Sequence, residues 1–114
     1  MEPHENALCK LAIADDEYVE ALLAHDQANV AASHLDPKTH ALIRLGALMA
    51  VDAAPPLYMW AIGSARRCGA SNDEIVGCLI AVLPTLGVAR VVSAAPKLGL
   101  ALGYDVNVAL EERV

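Results

Sequence analysis

A histidine and an arginine stand one helical turn apart in this chain, at His40 and Arg44. A spacing of four residues places both side chains on one side of a helix. An arginine can hold a carboxylate and a histidine can exchange a proton near neutral pH, so the pair could bind a small organic acid and assist a proton transfer. The alternative interpretation is a surface or interface pair with no chemical role.

Three large side chains follow a pair of prolines, at Tyr58, Met59 and Trp60. They could line an apolar ligand pocket, with the Tyr58 hydroxyl donating a hydrogen bond. Packing in a core or at an interface explains the same residues equally well. We take His40, Arg44 and Tyr58 as the candidate catalytic residues, and Trp60 and Met59 as candidate ligand contacts.

Arg90 is a further candidate ligand contact, because it stands alone between apolar residues. A charge in such surroundings needs a partner. We favour an acidic residue across an interface, since arginine is common in interfaces, and keep an anionic ligand as the alternative.

The three cysteines, Cys9, Cys68 and Cys78, form neither a disulfide framework nor a zinc motif, because their number is odd and no two are closely spaced. Cys68 and Cys78 are interpreted as buried thiols that behave as small apolar groups. A redox pair between them would require the intervening turn to bring them together. We expect no metal and no cofactor.

The composition bounds the possible partners. The 114 residues suit one domain, and 56% of them are hydrophobic, above the usual share of about 45–50%. Apolar surface left over on so short a chain predicts a homo-oligomer. The net charge of −6 argues against nucleic-acid binding, which needs a basic face.

The chain shows no sign of a membrane segment or a secretory signal. Its first five residues are acidic rather than basic. The longest uncharged run, Ile75 to Ala89, is shorter than the roughly 20 residues of a membrane span. We therefore expect a soluble cytoplasmic protein.

Helix signals without strand alternation predict an all-α fold of about five or six helices. Asp36-Pro37 and Pro55-Pro56 are typical helix starts, and Ser71 with Glu74 is a capping box. The helix after Ser71 is apolar nearly all round, which predicts burial on several sides. The predicted segments are an arm or short helix over 1–14, a helix from Asp15 to about His25, a turn or loop over 27–34, helices over 37–52, 55–67 and 71–87, a last helix from Val88 to about Gly103, and a short helical turn in the tail.

Several of these segments, in this order, resemble the carboxymuconolactone decarboxylase family, which includes the alkylhydroperoxidase D-type peroxidases. They are the Leu-Asp-Pro-Lys-Thr start at 35–39, the turn and cap from Arg66 to Ile75, and the Leu-Gly-Val-Ala-Arg break at 86–90. The resemblance implies a small helical bundle with its site on an antiparallel helix pair, assembled as a trimer or hexamer. It implies a single domain over 1–114, with an N-terminal arm and helix over 1–34 and a family-like core over 35–104.

The resemblance also implies that the reactive residues of the family are absent. Its glutamate, two cysteines and histidine would fall on Ala41, Ala54, Leu57 and Ala61, none of which can ionise. A dithiol peroxidase needs a thiolate, a second thiol and a base, so we expect no peroxidase chemistry of that kind. We instead expect binding of a small organic acid or apolar metabolite, with any activity closer to a lactone decarboxylase-like lyase. The alternatives are a non-enzymatic oligomeric scaffold and a thiol peroxidase that uses Cys68 and Cys78.

Overall fold

The computed structural model describes residues 1–113, and those residues form helices with no strand. The all-α prediction is confirmed, whereas the predicted five or six helices are too few. The eight helices are α1 (Pro3–Ala12), α2 (Asp16–Ala24), α3 (Asp26–Ser33), α4 (Pro37–Ala50), α5 (Pro55–Arg67), α6 (Asn72–Leu86), α7 (Val88–Leu102) and α8 (Val106–Glu112). The last helix, α8, lies in the tail where a short helical turn was predicted, and Val114 lies outside the described residues.

One of the helices that were not predicted is α3, which lies where a turn or loop was expected. The His25 side chain caps this helix, because its Nδ1 accepts a hydrogen bond from the backbone N–H of Ala28 at 3.2 Å. Histidine is not among the residues that usually signal a helix start. The prediction for 27–34 was therefore wrong for a local reason.

The chain divides into two compact units, one over Met1–Asp36 and the other beginning at Pro37. The first unit holds α1, α2 and α3, and no residue of these helices is fully buried. Glu2 and Glu5 form a capping box at the start of α1, and Asp15 caps α2 by accepting from the N–H of Tyr18 at 3.0 Å. Local capping therefore stabilises the starts of α1 and α2.

Four helices of the second unit, α4 to α7, enclose its core. Packing joins α4 to α5, α6 and α7, and it joins α7 to α5 and α6, so each helix contacts at least two others around a common interior. The chain has no phenylalanine, and the interior is mostly aliphatic. Its largest fully buried side chains are Tyr58, Leu45, Met49, Ile62, Ile75 and Leu98.

The pair α4 and α5 forms a helical hairpin joined by the four residues 51–54. Both helices begin with a proline at the first helical position, where the missing N–H costs nothing. Asp52 takes a left-handed backbone conformation in the link, with φ of 53°, which aspartate tolerates better than most residues. The hairpin corresponds to the antiparallel pair expected from the sequence.

Burial of α6 differs from the prediction. Only Ile75 and Leu79 of this helix are buried, whereas Ile80 is 69% exposed and Val76 and Leu83 are exposed as well. An all-apolar helix gives no periodicity that tells covered sides from open ones. No helix within residues 1–113 is long and apolar enough to cross a membrane.

Candidate functional site

His40 and Arg44 lie on successive turns of α4, as their spacing predicted. His40 is 6% exposed and is the one polar or charged residue of the described chain that is classed with the buried residues. Arg44 is half-buried. Neither side chain extends freely into solvent, so the structure places both within the packed surface of the hairpin.

Arg44 meets Trp60 across the hairpin. The Cζ atom of the guanidinium lies 4.8 Å from the centroid of the Trp60 ring. This distance is within the range of a cation–π contact. The contact connects the outer side of α4 to α5 and restrains a long side chain that would otherwise sample many rotamers.

Tyr58 and Met59 do not join this pair. Tyr58 is fully buried in the core, and Met59, one residue later on α5, is exposed. Because Arg44 lies opposite Trp60, Tyr58 lies nearer the link between the helices, whereas His40 lies one turn farther from that link. His40 and Tyr58 are both buried, whereas Arg44 is half-buried and contacts Trp60.

The Tyr58 hydroxyl is buried without a hydrogen-bond partner among the described residues. Burial raises the pKa of Tyr58, and the negative charge of Asp52 raises it further. The hydroxyl is thus held neutral, in a place that a ligand outside the bundle does not contact.

Arg90 has an acidic partner within its own chain. Its Nη1 lies 3.6 Å from Oδ2 of Asp52, and the Nζ of Lys97 lies 3.1 Å from Oδ1 of the same carboxylate. The Ser93 hydroxyl donates to that oxygen at 2.9 Å. The acidic partner that we expected across an interface is therefore a residue of the same chain. Through these contacts Asp52 connects the α4–α5 link to α7.

These contacts lower the pKa of Asp52, with the hydrogen bonds from Lys97 and Ser93 as the main causes. Asp52, Ser93 and Lys97 were not among the candidate residues predicted from the sequence. A signal was available, because Arg90, Ser93 and Lys97 follow the three- and four-residue spacing of one helix side. Their common partner lies about forty residues earlier, which no local pattern reveals.

Residues 16–98 match the family model described as the carboxymuconolactone decarboxylase family. The chain belongs to the carboxymuconolactone decarboxylase family. A search of curated proteins gave no match, and a search of solved structures gave none either. Membership therefore rests on the family model together with the all-helical fold.

The hairpin of this family member holds small or apolar residues at the four positions singled out by the resemblance. Ala41 on α4 and Ala61 on α5 are buried in the core. Ala54 is the N-cap of α5, where it provides no side-chain hydrogen bond, and Leu57 is partly exposed one turn later. None of these side chains can carry a proton or act as a nucleophile.

The cysteines were the alternative candidates for redox chemistry. All three are free thiols, with Cys9 exposed and Cys68 and Cys78 half-buried. The sulfur of Cys78 lies 3.6 Å from the carbonyl oxygen of Leu42 and 3.5 Å from that of Glu74. Burial raises the pKa of Cys78, the opposite of what a peroxide-reactive thiol requires.

Within residues 1–113, no group of three histidine, cysteine, aspartate or glutamate side chains is arranged so that it could hold a metal ion. Among the candidate residues, Arg44 and Trp60 contact each other, and the buried His40 lies one turn before Arg44 on α4.

Proposed function

We propose that this family member binds a small organic anion at the outer side of the α4–α5 hairpin and does not act as a dithiol peroxidase. Arg44 binds the carboxylate, and Trp60 contacts the apolar body of the ligand. The observation that carries the proposal is the cation–π contact between these two residues.

The contact is compatible with anion binding because the face and the edge of a guanidinium make different kinds of contact. Stacking on an aromatic ring uses the flat face, whereas the N–H groups lie in the plane at the edge. Those edge groups are the ones that bind a carboxylate in a bidentate manner. A guanidinium already oriented by Trp60 also loses less rotamer entropy when a ligand binds.

The partly exposed neighbours favour a ligand with an apolar part. Trp60 and Leu57 lie three residues apart on α5, on the same side of the helix, and both are partly exposed. An aliphatic or aromatic ring attached to the carboxylate would contact both side chains. His40, one turn from Arg44, is the residue that would move a proton if a lyase-like step followed binding. Tyr58 is given no part in binding, because it is fully buried.

An NMR titration tests the proposal. Cyclohexanecarboxylate added to the ¹⁵N-labelled protein should shift backbone amide signals around Arg44 and Trp60, while cyclohexanecarboxamide, of the same size but uncharged, should shift them far less. Equal shifts with both compounds, or shifts confined to helices other than α4 and α5, would contradict the proposal.

A non-enzymatic oligomeric scaffold remains the second candidate function. The buried alanines of the hairpin, Ala41, Ala61 and Ala65, favour it, because small residues there serve close packing of the two helices rather than chemistry. Three free thiols suit a reducing compartment, so we place the protein in the cytoplasm under either function.

A thiol peroxidase that uses Cys68 and Cys78 is the least supported alternative, given the raised pKa of Cys78. A peroxide-consumption assay decides it. We expect no turnover above buffer for the wild-type protein, whereas turnover lost in Cys68→Ser and Cys78→Ser would establish the thiol mechanism.

A further inference from the structure

A cavity lies among α6, α7 and the start of α8, and none of its lining residues belongs to the α4–α5 hairpin. Its volume is about 390 Å³, which is within the range of small-molecule sites. Val76 and Leu79 of α6 line it, as do Ala95 and Leu98 of α7 and Val106 of α8. The walls of this cavity are therefore mostly aliphatic.

The cavity has a closed floor and an open end. Leu79 and Leu98 are buried in the core, whereas Val76 is 39% exposed and Ala95 is half-buried. A molecule that enters from the open end would contact apolar side chains of two helices at once. Removing its apolar surface from water on several sides would stabilise the bound state.

The position of α8 beside this cavity depends on Gly99, a buried residue of α7 that also lines it. The backbone N–H of Tyr104 donates to the carbonyl oxygen of Gly99 at 2.8 Å. A Cβ atom on Gly99 would lie only 2.8 Å from the Tyr104 carbonyl oxygen and from Cγ2 of Val106. Because glycine has no side chain, the link after α7 can pass close to the helix and place Val106 at the cavity wall.

The polar groups of the lining are uncharged, and they belong to the exposed residues Asn72 and Tyr104. The Asn72 amide oxygen accepts from Nη2 of Arg66 at 3.0 Å, so its NH₂ group is the part that can donate to a ligand. Two carboxylates stand next to lining residues in the sequence, at Asp73 and Asp105, and they would repel an anion. Moving a charge from water into an uncharged apolar cavity is also unfavourable. The lining therefore favours an uncharged ligand.

We propose that this cavity binds a small uncharged ring compound, aromatic or alicyclic, that carries one hydroxyl or carbonyl group. The ring contacts Leu79 and Leu98, and the oxygen of the polar group lies at the exposed end, where the Asn72 amide donates to it. The inference is independent of anion binding by Arg44, because the two sites share no residue.

An NMR titration with β-naphthol tests the proposal, since this probe has two fused rings and one hydroxyl and is uncharged at neutral pH. It should shift the backbone amide signals of Val76, Leu98 and Val106 in a saturable way. β-Naphthalenesulfonate, which has the same rings and a negative charge, should bind there about 10-fold more weakly or not at all. Equal affinity for the sulfonate, or shifts confined to other helices, would contradict the proposal.

The same signals, followed as the protein is diluted without any compound, test whether a second copy of the chain occupies the cavity instead. They should not change with protein concentration. Concentration-dependent shifts at Val76, Leu98 and Val106, together with no response to β-naphthol, would assign the cavity to a contact between copies and overturn the proposal.

Two substitutions fill the cavity from different helices. Val76→Phe on α6 and Ala95→Leu on α7 should each weaken the binding of β-naphthol by about 10-fold or more, because the ring loses apolar contacts. Ile80→Phe, a matched change one turn after Val76 at an exposed position outside the cavity, should bind like wild type. Circular dichroism shows whether each variant is folded. Wild-type affinity in a folded Val76→Phe or Ala95→Leu protein, or an equal loss in Ile80→Phe, would overturn the proposal.

Discussion

The guanidinium of Arg44 lies over the ring of Trp60, with 4.8 Å between its Cζ atom and the ring centroid. The two residues come from opposite helices of the α4–α5 hairpin. The resemblance seen in the sequence predicts that the ionisable residues of the family would fall at Ala41, Ala54, Leu57 and Ala61 of this chain. The proposed anion binding rests on this contact between a charged and an aromatic group.

Replacing Asp52 by asparagine should destabilise the protein at neutral pH and lose its effect in acid. The folded protein lowers the pKa of this carboxyl below its ordinary value of about 4, so its charge stabilises the fold above that pH. This contribution is lost as the pH falls through the folded-state pKa, where wild type and variant should converge. Asparagine tolerates the left-handed backbone, so the change isolates the charge.

Thermal unfolding from pH 7 down to pH 2 measures this difference. Glu111→Gln, which removes an exposed carboxylate near the end of the chain, serves as the control and should show a smaller difference at pH 7. A gap between Asp52→Asn and wild type that stays constant across the series would contradict the assigned contacts with Lys97 and Ser93.

Tyr58→Phe should leave the protein as stable as wild type or stabilise it by about 1 kcal/mol. The hydroxyl is buried with no hydrogen-bond partner among the described residues, and a buried unsatisfied polar group is unfavourable by about 1–3 kcal/mol. Urea unfolding measures the change, with Tyr104→Phe as the exposed comparison. A marked loss of stability in Tyr58→Phe alone would show that the hydroxyl is hydrogen-bonded in solution.

Ser71→Ala should lower the free energy of unfolding by about 1 kcal/mol, the usual effect of losing an N-cap. The Ser71 hydroxyl accepts from the N–H of Glu74 at 3.1 Å, and the Glu74 carboxylate accepts from the N–H of Ser71 at 2.9 Å. Chemical denaturation provides the test. Thr85→Ala, near the other end of α6, should change stability by less than about 0.5 kcal/mol; an equal loss in both variants would argue against the cap.

Local signals accounted for the helix starts. The prolines at 37 and 55, the capping box at Ser71 and the break at Gly87 each act within a few residues, so the sequence alone could place α4 to α7. The helix α3 was not predicted because its N-cap is His25, a residue type seldom found in that position. Helices whose first residues are typical start signals were predicted, and the helix without such a signal was missed.

Long-range contacts could not be predicted in the same way. The spacing of His40 and Arg44 predicted a shared helix side, but not that Trp60 would lie across from Arg44. Likewise the sequence indicated that Arg90 needs a partner, but that partner, Asp52, lies in the distant link between α4 and α5. Which side of the apolar helix α6 is open was equally beyond the sequence, because that depends on where its neighbours pack.

The measurement that tests the central claim most directly is a fluorescence titration of Trp60, the single tryptophan of the chain. Cyclohexanecarboxylate should change its emission in a saturable way in the wild-type protein. Arg44→Met, which keeps length but removes the charge, should weaken binding by about 10- to 100-fold, as expected for a lost charge-assisted hydrogen bond. Arg67→Met, a matched change near the end of α5, should bind like wild type. Saturable binding of equal affinity in Arg44→Met, or no saturable response in the wild-type protein, would contradict the account.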